Sequence, residues 1–128
     1  MMKIKSFSIL TVLFLMSDLA WSNGEKIYQQ VCASCHSANF LNSPQMGDKR
    51  KWAPLIAEGQ VTLTAHGYVG VRAMPPKGGK PDLTIEDFSL ALNFMVNKSG
   101  GSWKAPDKKM LQDIKNEIVA RQKSNKNK

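Results

Sequence analysis

The chain of 128 residues carries 18 lysine or arginine and ten aspartate or glutamate side chains, which gives a formal net charge of +8 at pH 7. Its length suits a single domain, and a domain this small commonly supplements its core with a disulfide, a metal or a cofactor. The positive charge favours acidic partners or surfaces. Because the chain is predicted to be exported, as argued next, nucleic acid is not an expected partner.

The N-terminal segment, residues 1–22, has the layout of a secretory signal peptide. Two lysines give a positive start, an uncharged and mostly apolar run follows over 7–16, and the segment 20–22 begins and ends with the small residues that a signal peptidase reads. Cleavage after position 22 would leave the rest of the chain in the periplasm. An uncleaved anchor is the alternative, but the run is about half the roughly 20 residues that span a bilayer, so stable membrane insertion is not expected.

The first predicted helix, residues 24–36, ends in a C-x-x-C-H motif formed by Cys32, Cys35 and His36. This pattern is typical of covalent haem attachment. The two thiols lie one helical turn apart, so both can face the same edge of the macrocycle and each can add to one vinyl group. The imidazole that follows is then placed beneath the iron as the proximal ligand. Attachment of this kind takes place outside the cytoplasm, in agreement with the export signal.

Three other uses of the motif fit the sequence less well. A structural disulfide between Cys32 and Cys35 leaves His36 without a role. A thioredoxin-like redox pair expects a strand–helix–strand setting, whereas this motif follows a helical stretch with few β-branched residues. A zinc site needs a fourth ligand, and the other histidine, His66, is predicted to be a surface or loop residue.

Two segments after the motif supply further candidates for a haem pocket. The loop over 37–48 is rich in Ser, Asn, Pro and Gly. In it, the carbonyl of Pro44 can accept the Nδ1–H of His36 and fix the imidazole, although an ordinary turn proline is the alternative. The predicted helix over 49–59 contains Trp52, which would pack at the propionate edge of the haem, where its indole N–H finds a partner. Plain core packing is the alternative for this residue.

A stiff loop is predicted around Met74, which follows a short helix within 62–73 in the sequence VRAMPPKGGKP. The two prolines after Met74 hold the backbone extended, and the glycines at 78–79 allow close approach of other groups. A thioether placed 38 residues beyond His36 is suited to reach the opposite face of the iron. Met74 is therefore the predicted distal ligand.

Two amphipathic helices are predicted after this loop. The first has Thr84 as its N-cap and apolar residues at i, i+3, i+4 and i+7, among them Met95. The second follows Asp107 and carries apolar residues, including Met110, at intervals of four. Both methionines are therefore predicted to be core residues. The remaining methionine after the predicted signal peptide is Met46. It lies only ten residues after His36, which leaves little chain to pass around a haem and reach its opposite face.

Three stretches, CASCH, GDKRKWAPLIAEG and MPPKGG, resemble in their order and intervals the class I cytochromes c, most closely the small bacterial cytochrome c5 type. The resemblance implies an all-α cytochrome c fold of short helices around one covalently bound haem c, with electron transfer as the activity. Carried over to this sequence, Cys32 and Cys35 tether the haem, His36 is the proximal ligand and Met74 is the distal ligand.

The resemblance also divides the chain. It implies a cytochrome c domain over 23–98, in which Gly24 and Tyr28 lie on the face of the first helix that crosses the C-terminal helix of the fold. Residues 99–122 lie outside the resemblance and are predicted to form an additional helical extension that packs on the core, with partner docking or a membrane-surface helix as alternatives. Residues 123–128 are predicted to be a disordered basic tail.

Two features depart from the family pattern. Many relatives have a second cysteine pair just after the methionine loop, and this chain has no cysteine there. Leu55 stands where an arginine is common, so a propionate partner is missing.

With His36 and Met74 both bound to iron, no coordination position is open to a substrate. The predicted function is therefore that of a periplasmic single-haem electron carrier, not an enzyme. The alternatives are a haem subunit of a larger periplasmic oxidoreductase and a gas- or peroxide-reactive protein with an open distal site. Such carriers meet their partners through small interfaces of less than about 1,200 Å², which favours a monomer.

The expected partners are an oxidase, reductase or dehydrogenase with an acidic docking surface. Basic side chains near the predicted haem loops are expected to steer these partners, with an ordinary solvated surface as the alternative. They are Lys49, Arg50, Lys51, Arg72, Lys77 and Lys80.

Overall fold

A computed structural model describes residues 19–127, and it confirms the all-α class. The helices in chain order are α1 over residues 19–36, α2 (Lys49–Ala57), α3 (Gln60–Val69), α4 (Ile85–Lys98) and α5 (Lys108–Lys126). Short 3₁₀ segments lie in two of the connecting loops, at Phe40–Asn42 and Pro76–Gly79. Among the helices of the described residues, none combines the length and the hydropathy that a bilayer span requires.

Most of the predicted signal peptide lies outside the described residues. Its last four positions, 19–22, are helical and continue directly into the rest of α1. In this arrangement the ring of Trp21 lies against that of Phe94 in α4, with 5.1 Å between their centroids. The end of the predicted signal peptide therefore contacts the domain.

Helix α1 is irregular at its centre. The backbone forms a π turn over Tyr28–Cys32, in which the N–H of Ala33 donates to the carbonyl of Tyr28, and it returns to α-helix over Ala33–His36. A π turn inserts one residue into an α-helix and is frequent at functional sites. Here it immediately precedes the two cysteines and the histidine of the motif.

Helices α1 and α4 cross closely at Gly24. A Cβ atom on this glycine would lie only 2.5 Å from the carbonyl oxygen of Leu90, so the crossing requires a residue without a side chain. One turn later the buried ring of Tyr28 lies 5.6 Å from that of Phe94. The crossing implied by the family resemblance is therefore present, with α4 as the partner helix.

Side-chain caps fix the starts of α4 and α5 where the sequence predicted them. The hydroxyl of Thr84 accepts from the N–H of Asp87 at 3.1 Å, and the carboxylate of Asp107 accepts from the N–H of Met110 at 2.8 Å. Helix α4 ends at Lys98 and is followed by Gly100 in a left-handed conformation, with φ of 107°.

The C-terminal extension is built into the domain. Its linker is held on α4 by two amides: Asn93 donates to the carbonyl of Lys104 at 2.7 Å, and Asn97 bonds both the N–H and the carbonyl of Trp103 at 2.7 and 2.8 Å. Helix α5 then packs along α3 through three buried apolar residues, here called the α3–α5 core. They are Ala65, Ile114 and Ile118.

The predicted boundary of the extension is wrong at its C-terminal end. Helix α5 runs to Lys126, so residues 123–126 are helical and not a disordered tail. Lys123 and Lys126 lie in the last turn, where positive charge interacts favourably with the helix dipole. Apolar repeats indicate α5 in the sequence, and this polar last turn carries none.

The remaining apolar residues form a larger group, here called the main core, between α1, α2, α3 and α4. Met95 belongs to it, and Met110 packs against the α3–α5 core, so both have the core positions that the sequence predicted. The buried members of the main core are Tyr28, Trp52, Leu63, Leu83, Phe88, Leu92, Phe94, Met95 and Val96.

Candidate functional site

The two cysteines stand at the C-terminal end of α1 as free thiols of intermediate exposure. Burial, with a further contribution from the neighbouring Cys35, raises the pKa of Cys32 to about 11. Cys32 is therefore a neutral thiol at pH 7. Redox-active pairs depend on a lowered thiol pKa, so this environment does not support the thioredoxin-like alternative.

The imidazole of His36 is buried and held in one orientation. Its Nδ1 lies 2.8 Å from the carbonyl oxygen of Pro44, and since a carbonyl can only accept, Nδ1 carries the proton. The lone pair of a neutral imidazole is then on Nε2, which makes no hydrogen bond within the described residues. This arrangement fixes the tautomer that a metal-binding histidine needs.

The loop that carries Pro44 is tied to the motif by its own polar groups. Gln45 is the centre of this network, because its side-chain amide donates to the carbonyl of Cys35 at 3.1 Å and its side-chain oxygen accepts from the N–H of Asn39 at 2.8 Å. Ser43 donates to the same carbonyl of Cys35 at 2.6 Å. Neither residue was predicted from the sequence, where the only available signal was their position on either side of Pro44.

Trp52 supports this loop from α2. Its side chain is 2% exposed, its ring centroid lies 6.3 Å from that of His36, and its indole N–H donates to the carbonyl of Gln45 at 2.9 Å. The indole N–H thus has a partner, as the sequence suggested, but that partner is a backbone carbonyl. Met46 lies in the same loop, with its N–H 2.8 Å from the carbonyl of His36.

Met74 lies in a tight turn at the end of α3. The backbone groups of Val71 and Met74 bond each other in both directions, at 2.9 and 3.1 Å, and Arg72 between them has φ of 52°. The turn folds back on the helix end, because a Cβ on Gly70 would lie 2.9 Å from the nitrogen of Pro76. The side chains of Met74 and Cys32 pack against the same main core, so the two halves of the predicted site meet at one cluster.

The second histidine is engaged elsewhere. His66 is part of α3, half-exposed, and its Nδ1 lies 2.6 Å from a carboxylate oxygen of Glu58. Among the described residues, no group of three or more His, Cys, Asp or Glu side chains is placed to hold a metal ion. The zinc alternative therefore has no support in this part of the chain.

The donor groups fit a covalently attached haem. Two thiols are available for thioether bonds, the Nε2 of His36 is directed by the hydrogen bond on Nδ1, and a thioether stands on a separate, stiffened loop. Histidine and methionine are the axial pair of many c-type haems.

Comparison with known proteins decides the family. The family model described as cytochrome C oxidase, cbb3-type, subunit III matches residues 19–95. The chain belongs to this family of class I c-type cytochromes. It is 40% identical over 80 residues to cytochrome c-555 of Chlorobaculum thiosulfatiphilum, covering 59% of this chain and 93% of the relative. It is 32% identical to cytochrome c5 of Azotobacter vinelandii, covering 57% of this chain and 90% of the relative.

A solved structure agrees with the sequence relatives. The cytochrome c chain in a crystal structure of an electron transfer complex of nitrite reductase with cytochrome c has a TM-score of 0.58 and 36% identity to this chain. The match covers 60% of this cytochrome and 94% of that chain. The protein is thus a small single-haem electron carrier with a cytochrome c fold and covalently bound haem c. Helix α5 lies outside the residues matched by the family model.

Proposed function

We propose that this cytochrome is an exported, periplasmic carrier whose iron is held between His36 and Met74, and that it is not an enzyme. The observation that carries the proposal is the Nδ1 hydrogen bond of His36 to Pro44, which leaves Nε2 for the metal. The stiff turn that presents Met74 to the same core as Cys32 supports the distal assignment. Two protein ligands would leave no open position for a substrate.

The residues around the haem would determine whether the ferric or the ferrous state is favoured. When bound, the haem supplies a one-electron ferric/ferrous couple. A thioether ligand favours the ferrous state and so raises the potential relative to two histidines. Leu55 and Trp52, which are partly and fully buried at the main core, act in the same direction because an apolar environment disfavours the more highly charged ferric state.

The distal assignment is tested by visible spectroscopy of the ferric protein. We expect a thioether-to-iron charge-transfer band and no reaction of the ferrous protein with carbon monoxide. Met74→Ala should abolish the band and allow carbon monoxide to bind. Met46→Ala, in the loop that follows the motif, should keep the wild-type spectrum. A high-spin wild-type spectrum that shifts with carbon monoxide would instead support an open, reactive distal site.

Partners with acidic docking surfaces are the second part of the proposal. Of the six basic residues near the haem loops, all are solvent-exposed except Lys77, which is half-buried. A reductase is the partner named for the similar solved cytochrome. Electrostatic steering speeds encounter by about 10- to 10³-fold and fades with salt.

Steering predicts that Arg50→Glu slows electron transfer to the partner at low ionic strength and that high salt removes most of the difference. Lys26→Glu is the matched control, because Lys26 is also exposed but lies on α1 before the π turn. Rates that do not change with ionic strength would contradict steering. Export is tested separately, by determining whether the mature protein from the periplasm begins at Asn23.

A second candidate is a haem subunit of a larger periplasmic oxidoreductase. The observation that favours it is the description of the matching family model, which names an oxidase subunit. Size-exclusion chromatography of a native periplasmic extract distinguishes the two. A free carrier elutes at the size of one small chain, and a subunit elutes with its complex.

A further inference from the structure

We propose that helix α5 braces the methionine loop, acting through Tyr68 of α3, and so sets how readily Met74 leaves the iron. The inference rests on the proposed role of Met74 as distal ligand. It assigns a function in ligand retention to an extension that lies outside the residues matched by the family model. Tyr68 is in this view a positioning residue, since it acts on the loop and not on the iron.

The first step is the fixed position of α5 against α3. Ile114 and Ile118 are 0% and 5% exposed, and they pack with Ala65, which is also fully buried. Burial of two isoleucine side chains is a large favourable contribution to the contact between α5 and α3. Helix α5 therefore holds α3 firmly, and the linker amides of Asn93 and Asn97 fix the start of the extension.

The second step is the connection from α3 to the loop. Helix α3 ends at Val69, and the turn that contains Met74 begins two residues later. Val69 and Tyr68 both pack against the α3–α5 core. Any movement of α3 away from α5 thus moves the base of the methionine loop.

The third step is the reach of the Tyr68 side chain. It packs against both hydrophobic clusters, its hydroxyl donates to the carbonyl of Leu83 at 3.1 Å, and the ammonium group of Lys77 lies 5.1 Å from its ring centroid. Its ring also meets Phe88 edge-on, with 5.6 Å between centroids. The ring therefore contacts the methionine loop at Lys77 and is anchored beyond the loop at Leu83.

The end of α5 itself does not fill the space beside the loop. A cavity of about 400 Å³ separates Gln122, Asn125 and Lys126 from Pro76 and Lys77, with Tyr68 and Val69 forming its remaining wall. We therefore place the coupling on α3 and Tyr68, and this route can be tested one residue at a time.

The test uses imidazole as a competing ligand for the ferric iron at fixed pH. Imidazole can bind only when Met74 has left, so its apparent affinity rises with the population of the open loop. Ile118→Ala should tighten imidazole binding by roughly fivefold or more, because it loosens α5 from α3. Tyr68→Phe should tighten it by about two- to tenfold, the range for loss of one hydrogen bond.

Two control variants separate bracing from general destabilisation. Val119→Ala alters the exposed face of α5, where Val119 is 48% exposed, and should leave imidazole affinity unchanged. Val96→Ala removes two buried methyl groups on α4, close to Gly101. It should lower the overall stability without changing the imidazole affinity. If Ile118→Ala does not fold, the imidazole affinity of Tyr68→Phe compared with that of Val119→Ala still tests the proposed brace.

The outcomes distinguish this proposal from the one on which it rests. If the wild-type protein lacks the thioether band, or keeps it after Met74→Ala, the distal assignment fails. If Met74→Ala behaves as expected but Tyr68→Phe binds imidazole like wild type, the brace through Tyr68 is refuted and the distal ligand stands.

Discussion

The Nδ1 of His36 lies 2.8 Å from the carbonyl oxygen of Pro44, and the side chain of Gln45, the next residue, ties the same loop to the carbonyl of Cys35. When the ring N–H that does not bind the metal donates a hydrogen bond, the imidazole becomes a more basic ligand. The strength of this contact should therefore appear both in the exchange of the Nδ1 proton and in the reduction potential.

Gln45→Ala tests this relationship. It removes the contacts to Cys35 and Asn39 and should raise the potential, because a weaker Nδ1 hydrogen bond makes His36 a poorer ligand for ferric iron. We expect the Nδ1 proton to exchange about tenfold faster, as for loss of about 1.4 kcal/mol of protection. NMR exchange and potentiometry measure the two effects. Gln30→Ala, on the exposed side of α1, is the control and should change neither.

Gly67→Ala tests the packing between α3 and α4. A Cβ at this position would lie 2.7 Å from the ring of Phe88 and 3.7 Å from the terminal methyl carbon of Met74. The substitution gains about 1 kcal/mol in helix propensity, but overpacking costs about 1–3 kcal/mol. We expect a net loss in the free energy of unfolding, measured by denaturant titration.

A double-mutant cycle provides the control for Gly67. Phe88→Leu shortens the opposing side chain, so adding Gly67→Ala to it should cost less than adding Gly67→Ala to the wild type. Equal costs in both backgrounds would show that the glycine is not required by Phe88.

Asn93→Ala tests how far the extension depends on its linker. Asn93 is 6% exposed, donates to Lys104 and accepts from the amide of Gln60 at 3.1 Å. Removing this buried amide should lower the free energy of unfolding by about 1–3 kcal/mol and reduce the protection of α5 amides from hydrogen exchange. Asn116→Ala, at an exposed position of α5, should have little effect. Unchanged protection in Asn93→Ala would mean that α5 is held by its apolar contacts alone.

Lys80 and Asp82 give a pH-dependent prediction in the segment after the methionine loop. The hydrogen bond from Lys80 lowers the pKa of Asp82 below its ordinary value of 3.8, with a smaller contribution from a backbone amide. A lowered pKa favours the ionised carboxylate in the fold, so its stabilising effect is complete above that ordinary value and is lost as the pH falls through the lower folded pKa.

Lys80→Ala should therefore raise the pKa of Asp82 towards 3.8, as followed by NMR titration of its carboxyl carbon. The shift should be incomplete, because the backbone amide remains. Lys98→Ala, at the end of α4, should not change the titration of Asp82. A pKa that stays low in Lys80→Ala would assign the shift to the backbone.

Local patterns allowed much of this molecule to be predicted from its sequence. The caps at Thr84 and Asp107 and the core methionines follow from residues within one or two helical turns, and the motif at 32–36 identifies its own chemistry. The hydrogen bond between His36 and Pro44 was also expected, although the two lie eight residues apart. The family comparison agrees with the carrier function that these patterns indicated.

The features that escaped prediction depend on contacts between distant segments. Gln45 gains its role only because its loop folds against the motif. Tyr68 gains its role because its side chain packs on the α3–α5 core and also contacts Lys77 of the methionine loop. Helix α5 extends further than its apolar pattern predicts, because its last turn is polar and is stabilised by charge instead of burial. None of these signals is periodic, and each requires the three-dimensional arrangement.

The π turn in α1 has a geometric consequence for the haem ligand. At 100° per residue, the 12 steps from Gly24 to His36 would leave the histidine about 120° around a regular helix from the glycine. The additional residue of the π turn takes up about 100° of that angle. The imidazole therefore comes into phase with Gly24 and Tyr28 on the inward side of α1. In a helix of unbroken 3.6-residue periodicity, His36 would lie about 120° away from the face that contacts α4.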